Sequence, residues 1–192
     1  MNKKVKFYLI LFVSLSIGLF IGYLIATYAI KMTLDKENSI TTFYLIRHAE
    51  KDRSNPNEKN PNLTSKGLAR ANHWAKYFDS IPLNSIYTTS YKRTMQTIAP
   101  VSRKKNIEPK IYSPNKINIQ NFIKTNYGKN ILISGHSNTT PDMVNRLINE
   151  KKYEDMLESD NKSLYVVKFI DSSINVEVRS ISFKSKNHNP RL

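Results

Sequence analysis

From Phe7 to Ile30 (FYLILFVSLSIGLFIGYLIATYAI) the chain carries no charged residue, and this run restricts its fold more than any other feature. In a bilayer each backbone polar group must be satisfied within its own segment, so a single stretch of this kind can only be a helix. At 1.5 Å per residue it reaches about 36 Å, enough to cross a hydrocarbon core of about 30 Å with some tilt. A cleaved secretory leader has a shorter apolar core of about 7–15 residues and ends in a small-x-small site. Thr27-Tyr28-Ala29 is a poor match to such a site, so the expectation is a permanent anchor. The chain has no cysteine, which excludes a lipid-anchored lipoprotein.

Lys3, Lys4 and Lys6 precede the run, whereas Lys31 and Lys36 after it are offset by Asp35 and Glu37. Basic charge is retained on the cytoplasmic side. The expected topology is a single pass with the N-terminus cytoplasmic and the folded domain extracytoplasmic. The expected organisation is a basic flank over 1–6, a transmembrane helix over 7–30, a polar linker over 31–39, a folded domain over 40–184 and a tail over 185–192.

The net charge is +15 over 192 residues; three of the 30 basic and none of the 15 acidic residues lie in residues 1–30, which leaves +12 on the rest. Such a balance favours anionic substrates or anionic lipid head groups, or reflects a composition rich in Lys, Asn and Ile. A nucleic-acid partner is not expected, since no interleaved aromatic and basic motif occurs. The missing cysteines also remove disulfides and thiol catalysis.

After the anchor, the β-branched and apolar residues 41–46 read as a buried strand that runs straight into Arg47-His48. A helix capped by Thr64 or Ser65 follows, with Leu68, Ala71, Ala75 and Phe78 facing inward. Strand 85–89 leads to a helix capped by Ser90, with Met95, Ile98, Ala99 and Val101 inward. A strand over 110–112, a helix over 117–127 and a strand over 130–134 come next. The following helix has Thr139 or Thr140 as its cap and Pro141 in the first turn, where the missing N–H costs nothing. Residues 151–161 read as half-helical, and 163–170 and 174–183 as two strands joined at 171–173. Alternating strands and helices predict a three-layer α/β/α sandwich with a mostly parallel central sheet, closed by an antiparallel pair.

In open α/β sheets ligands bind beyond the carboxyl ends of the strands. Three strands end in one kind of chemistry: Arg47 and His48, then Ser90 and Arg93, then Gly135 and His136. Two guanidiniums and two imidazoles at one sheet edge make a pocket for a doubly charged tetrahedral anion, and helix starts add N–H donors. A neutral imidazole can act as nucleophile near pH 7, and positive neighbours keep its lone pair available. His48 attacking phosphorus gives a phosphohistidine that water hydrolyses, while Arg47, Arg93 and His136 hold the equatorial oxygens. This chemistry calls for no metal and no cofactor, and no ligand cluster at metal spacing is present.

Leu45-Ile46-Arg47-His48-Ala49-Glu50-Lys51, Leu63-Thr64-Ser65-Lys66-Gly67, Thr88-Thr89-Ser90-Tyr91-Lys92-Arg93-Thr94-Met95-Gln96-Thr97 and Ser134-Gly135-His136-Ser137-Asn138-Thr139 together resemble the histidine phosphatase superfamily. The group is the phosphoglycerate mutase-like one, in its short single-domain branch, and the resemblance spans residues 41–183. It implies His48 as phospho-acceptor and Arg47, Arg93 and His136 as phosphate ligands. Many members carry a carboxylate proton donor after the second Arg or the second His; here Ser137 follows His136, and 101–130 holds only Glu108 as an acid. Glu50 is the first candidate for that role and Asp142 the second.

Ser90 and Asn138 are expected to touch substrate. His73 reads as a surface or packing residue, His188 as part of a solvated tail, and Ser137 lacks a G-x-S-x-G setting. Arg103-Lys104-Lys105 reads as a solvated helix end. The expected activity is a membrane-anchored, metal-independent phosphatase acting on a phosphomonoester, either a small anionic molecule or an envelope component. The alternatives are a phosphohistidine phosphatase and a non-catalytic module that uses the same pocket to bind phosphate. The missing carboxylate speaks against mutase activity.

Overall fold

The computed structural model describes residues 2–37, 39–171 and 173–183. The chain divides into two units, the first ending at Ser39 and the second beginning at Ile40. The expected tail, with His188, lies outside the described residues.

The first unit is helix α1, Lys3–Glu37. Its apolar side chains, among them Ile10, Phe12, Leu15 and Leu19, point outward all round, the pattern of a helix that has no polar face to give to water. Ser14, Ser16 and Thr27 return their hydroxyls to carbonyls three or four residues back, so these three groups are satisfied within the helix. Among the described residues it is the one helix long and apolar enough to cross a membrane, which suits an anchor or a signal sequence. It continues to Glu37, through the stretch expected as a linker.

The second unit runs β1 (Thr41–Arg47), α2 (Ser65–Tyr77), β2 (Ser85–Thr88), α3 (Lys92–Lys105), β3 (Lys110–Ile111), a 3-10 turn (Pro114–Lys116), α4 (Ile119–Thr125), β4 (Asn130–Gly135), α5 (Thr139–Ile148), β5 (Ser163–Ile170) and β6 (Ser173–Ser180). The six strands form one sheet in the order β3-β2-β4-β1-β5-β6. The first four are parallel; β5 and β6 are antiparallel additions. Alternate side chains of β1 and β4 divide between two cores. Phe43, Leu45, Ile131 and Ile133 pack with Phe122, Met143, Val144 and Leu147 of α4 and α5. Ile46 and Leu132 pack with Trp74, Phe78, Ile98 and Val101 of the α2–α3 side. The mostly parallel three-layer sandwich is therefore as expected.

Several local expectations shift. In α2 Leu68 is exposed and Trp74 is buried, so the inward face turns toward Trp74 while keeping Ala71, Ala75 and Phe78. In α3 Met95 is exposed and Ala99 only half-buried; Thr94 and Thr97 take the inner positions beside Ile98 and Val101. Ser90 is not the cap of α3. Tyr91 occupies that position without a side-chain bond, and the Lys92 amide is met by Asn60 Oδ1 at 2.9 Å. Thr64 does cap α2. Asn138 precedes α5, while Thr139 Oγ1 accepts from the His136 amide at 3.0 Å instead of capping. The helix expected over 117–127 is the shorter α4, capped by Asn118, and β6 stops at Ser180.

Residues 151–161 contain no helix. Asn145 of α5 accepts from the Lys152 and Tyr153 amides and donates to the Tyr153 carbonyl, and the Met156 amide bonds to Ser137 O at 2.9 Å. With those backbone groups satisfied from outside, the segment has no need of a helical ladder. Lys104 and Lys105 both reach Asp79, by its carboxylate and its carbonyl, so that basic run is partly tied down.

Candidate active site

β1 and β4 are parallel neighbours with Arg47 opposite Gly135, which places the residues just beyond them side by side. The His48 amide bonds to Gly135 O at 2.9 Å, and the rings of His48 and His136 lie 5.6 Å apart at their centroids. β2 flanks β4 with Thr88 opposite Ser134, so Thr89 arrives next to His136. Arg93 comes from the first turn of α3. A cavity of about 540 Å³ is lined by Arg47, His48, Arg93 and His136, together with Ser90 and Asn138. Six of the seven expected positions are thus brought to one place; Glu50 is not among them.

His48 is buried. Its Nδ1 lies 2.7 Å from the Ala49 carbonyl; a carbonyl only accepts, so Nδ1 carries the hydrogen and Nε2 keeps the lone pair. Burial, and then Arg47, His136 and Arg93, lower its pKa to about 3, against the opposing effect of the Ala49 bond. The backbone around it is pinned, with Thr97 Oγ1 accepting from the Ala49 amide at 2.8 Å and Asn161 Nδ2 donating to the His48 carbonyl at 2.9 Å.

His136 is lowered to about 4, by burial first and then by Arg93, Arg47 and Lys51. Arg93 Nη2 lies 3.3 Å from its Nδ1. Arginine has no acceptor, so Nδ1 accepts and Nε2–H donates to Thr89 Oγ1 at 2.9 Å.

The two arginines are held differently. Arg47 Nη1 donates to the carbonyls of Leu157, Glu158 and Asp160 at 2.8, 3.1 and 3.3 Å, and Nη2 to Glu158 Oε2 at 3.2 Å. Its Nε is buried without a protein partner among the described residues, as are Nε and Nη1 of Arg93. Arg93 stacks on Tyr91, 4.3 Å from the ring centroid. Buried donors left open in this way are costly unless something meets them.

The structure does not support Glu50 as a proton donor. Its carboxylate takes a bidentate pair of bonds from Arg70, Nε at 2.9 Å and Nη2 at 2.7 Å, with Lys66 at 3.7 Å. Burial alone would raise its pKa, but the Arg70 bonds, its own backbone amide and Lys66 together hold the carboxyl below its usual range. It is absent from the lining of the His48–His136 cavity and opens on a neighbouring one. Asp142 does not line that cavity either; it is an exposed carboxylate 3.9 Å from Arg146. His73 stacks on Phe183 with centroids 5.4 Å apart and serves packing.

Five residues given no role in the sequence analysis also line the cavity: Lys51, Thr89 and Tyr91, which lie within the motifs, and Tyr112 and Glu158, which do not. Glu158 pairs with Arg53 as well as Arg47 and is held ionised, first by the Arg53 bond. No local pattern marks it, because it reaches the site from a loop more than a hundred positions beyond Arg47. Thr89 was visible as the residue before Ser90, yet nothing but the strand register sets it on His136.

The sheet and this edge define a class of protein, an α/β domain presenting a histidine and two arginines at the strand ends. A family model for the histidine phosphatase superfamily (branch 1) matches residues 43–114, a span that contains Arg47, His48, Ser90 and Arg93 but not His136. A search of curated proteins finds no match. Solved structures agree in fold. Bacillus stearothermophilus YhfR is 17% identical with a TM-score of 0.58, over 74% of this chain and 98% of its own. Phosphoglycerate mutase from Bacillus anthracis str. Sterne is 13% identical with a TM-score of 0.58, over 77% and 95%. The protein histidine phosphatase SixA complexed with tungstate is 13% identical with a TM-score of 0.56, over 72% and 96%. Over residues 43–114 the chain is thus similar to the histidine phosphatase superfamily, and the solved structures share the fold of its second unit.

Proposed function

We propose that the protein is a metal-independent phosphatase that hydrolyses a phosphomonoester through a phosphohistidine on His48. The observation that carries this reading is the unprotonated Nε2 of His48 beside buried arginine donors that lack acceptors. Nε2 attacks phosphorus, the bond to the leaving oxygen breaks, and the leaving group departs with its electron pair. Arg47 and Arg93 hold the non-bridging oxygens through those open N–H groups, and His136 joins them by turning its Nε2–H from Thr89 Oγ1 to the phosphoryl group. Water then attacks the phosphohistidine, releasing phosphate and restoring the lone pair.

Ser90 and Asn138 are proposed as substrate contacts from the cavity rim. The domain is proposed to be anchored through residues 7–30 with the pocket outside the cytoplasm, where an envelope component is a natural substrate. An enzymatic reporter fused after residue 192 tests that topology, and activity on the cytoplasmic side alone would reverse it.

A second reading, a phosphohistidine phosphatase, is favoured by one feature: Glu158, the carboxylate at the cavity, is already shared by two arginines. A phosphoramidate needs less help from an acid than an alkyl ester does. Turnover of an aryl phosphate by the full-length protein, falling at least roughly 10⁴-fold in His48→Ala, is the expected result. Tight phosphate binding without turnover would instead indicate a non-catalytic binding module.

A further inference from the structure

Tyr112 sits just beyond β3, and its amide bonds to Thr88 O at 2.9 Å, extending the β2–β3 pairing by one residue. Its ring is part of the core that holds Phe43, Ile133 and Met143, and only 9% of the residue is exposed. Its hydroxyl is nevertheless without a protein partner among the described residues. An unmet buried hydroxyl costs about 1–3 kcal/mol, and the residue lines the same cavity as His48 and His136.

Gly135 lies beside that hydroxyl. A Cβ there would lie 3.4 Å from Tyr112 Oη and 2.8 and 3.0 Å from the hydroxyls of Thr140 and Thr139. Burial pushes the phenol up from its ordinary pKa, so it is a neutral donor that adds no negative charge beside a phosphoryl group.

Position assigns the partner. Across the sheet β3 and β1 are separated by β2 and β4, so Tyr112 enters the cavity from a different strand end than His48, with its hydroxyl beside Gly135 of β4. In-line displacement places the leaving oxygen opposite the nucleophile. The wall beside Tyr112 continues through Ser113, Asn115 and Lys116 without a carboxylate.

We propose that Tyr112 is a further catalytic residue, its O–H donating a hydrogen bond to the leaving-group oxygen as the P–O bond breaks. The inference rests on His48 being the nucleophile. The hydrogen bond stabilises the charge that builds on that oxygen, which takes its proton from water. The benefit is largest for poor leaving groups, which develop the most charge.

The test compares kcat/KM of full-length wild type and Tyr112→Phe on an alkyl and a nitroaryl phosphate. The expected loss is roughly 10–100-fold on the alkyl ester and within about 3-fold on the nitroaryl ester. Equal losses on both, or no loss, overturn the role of Tyr112 while leaving the phosphatase reading intact. A wild type that turns over neither ester removes both. Should Tyr112→Phe melt early, 3-fluorotyrosine at 112 gives a second readout: the stronger donor raises alkyl turnover, and an unchanged rate overturns the proposal.

Discussion

Arg70 and Arg93 project from α2 and α3, neighbouring helices on one face of the sheet, and both are drawn in from water. Arg70 meets a carboxylate with two parallel bonds and lies over the Phe183 ring. Arg93 meets no carboxylate among the described residues, only a histidine nitrogen and an aromatic face. Burying a guanidinium costs free energy unless an anion compensates. For Arg70 the protein supplies that anion itself; for Arg93 it leaves room for one to arrive. The contrast separates an arginine that holds a loop in place from one whose donors are left open, the one proposed to meet substrate.

This contrast is broken or sharpened by exchanging the roles. Arg93→Ala is expected to lose roughly 10²–10³-fold in kcat/KM on an aryl phosphate with little change in melting temperature. Arg70→Ala should keep activity within about 3-fold and lose about 1–3 kcal/mol of stability in urea titration. Equal loss of activity in both would dissolve the distinction.

Glu50→Gln probes the same pair from its acidic end. Because Arg70 holds this carboxylate ionised, alkyl phosphate turnover should change by less than about 3-fold while stability falls by about 1–2 kcal/mol. A collapse of alkyl turnover alone would return Glu50 to the role of proton donor.

Residue by residue, an effect of comparable size to that of Glu50 is one of pH. His48 and His136 have folded pKa values of about 3 and about 4, below the ordinary 6.5, so the unfolded chain binds more protons below that point. Their contribution to stability is present above about pH 6.5 and is lost as the pH falls toward the folded values. Between pH 7 and 5 each is expected to remove roughly 1–2 kcal/mol. Thermal melts of His48→Asn/His136→Asn should accordingly show a flatter pH dependence over that window. Glu50 shifts stability in the same direction, but below its ordinary value of 4.5, so it does not mask the histidines.

Much of the site was legible because its main members sit in short motifs at strand ends, and parallel pairing brings strand ends together whatever the details. Arg47, His48, Arg93 and His136 follow from that rule alone. Glu158, Thr89 and Tyr112 do not, since they arrive through strand register or a loop that no local pattern announces. The Glu50–Arg70 pair was hidden for a related reason. Glu50 stands two residues from His48 in sequence, but Thr64 and Gly67 dock the start of α2 against its carbonyl, where a side chain at 67 would overlap that oxygen. The docking turns the carboxylate toward α2. Residues 151–161 have the charge pattern of a surface helix, yet Asn145 takes up their backbone groups. Helix α1, by contrast, was readable from composition, because nothing in its surroundings is needed to specify it.

The central claim is that an imidazole, specifically His48, takes the phosphoryl group. The direct measurement is to trap the full-length protein during turnover of a labelled phosphoester and map the modified residue by mass spectrometry. The account predicts an acid-labile, base-stable phosphate on His48, absent from His48→Ala. Label on a serine, or none at all while turnover proceeds, would contradict it.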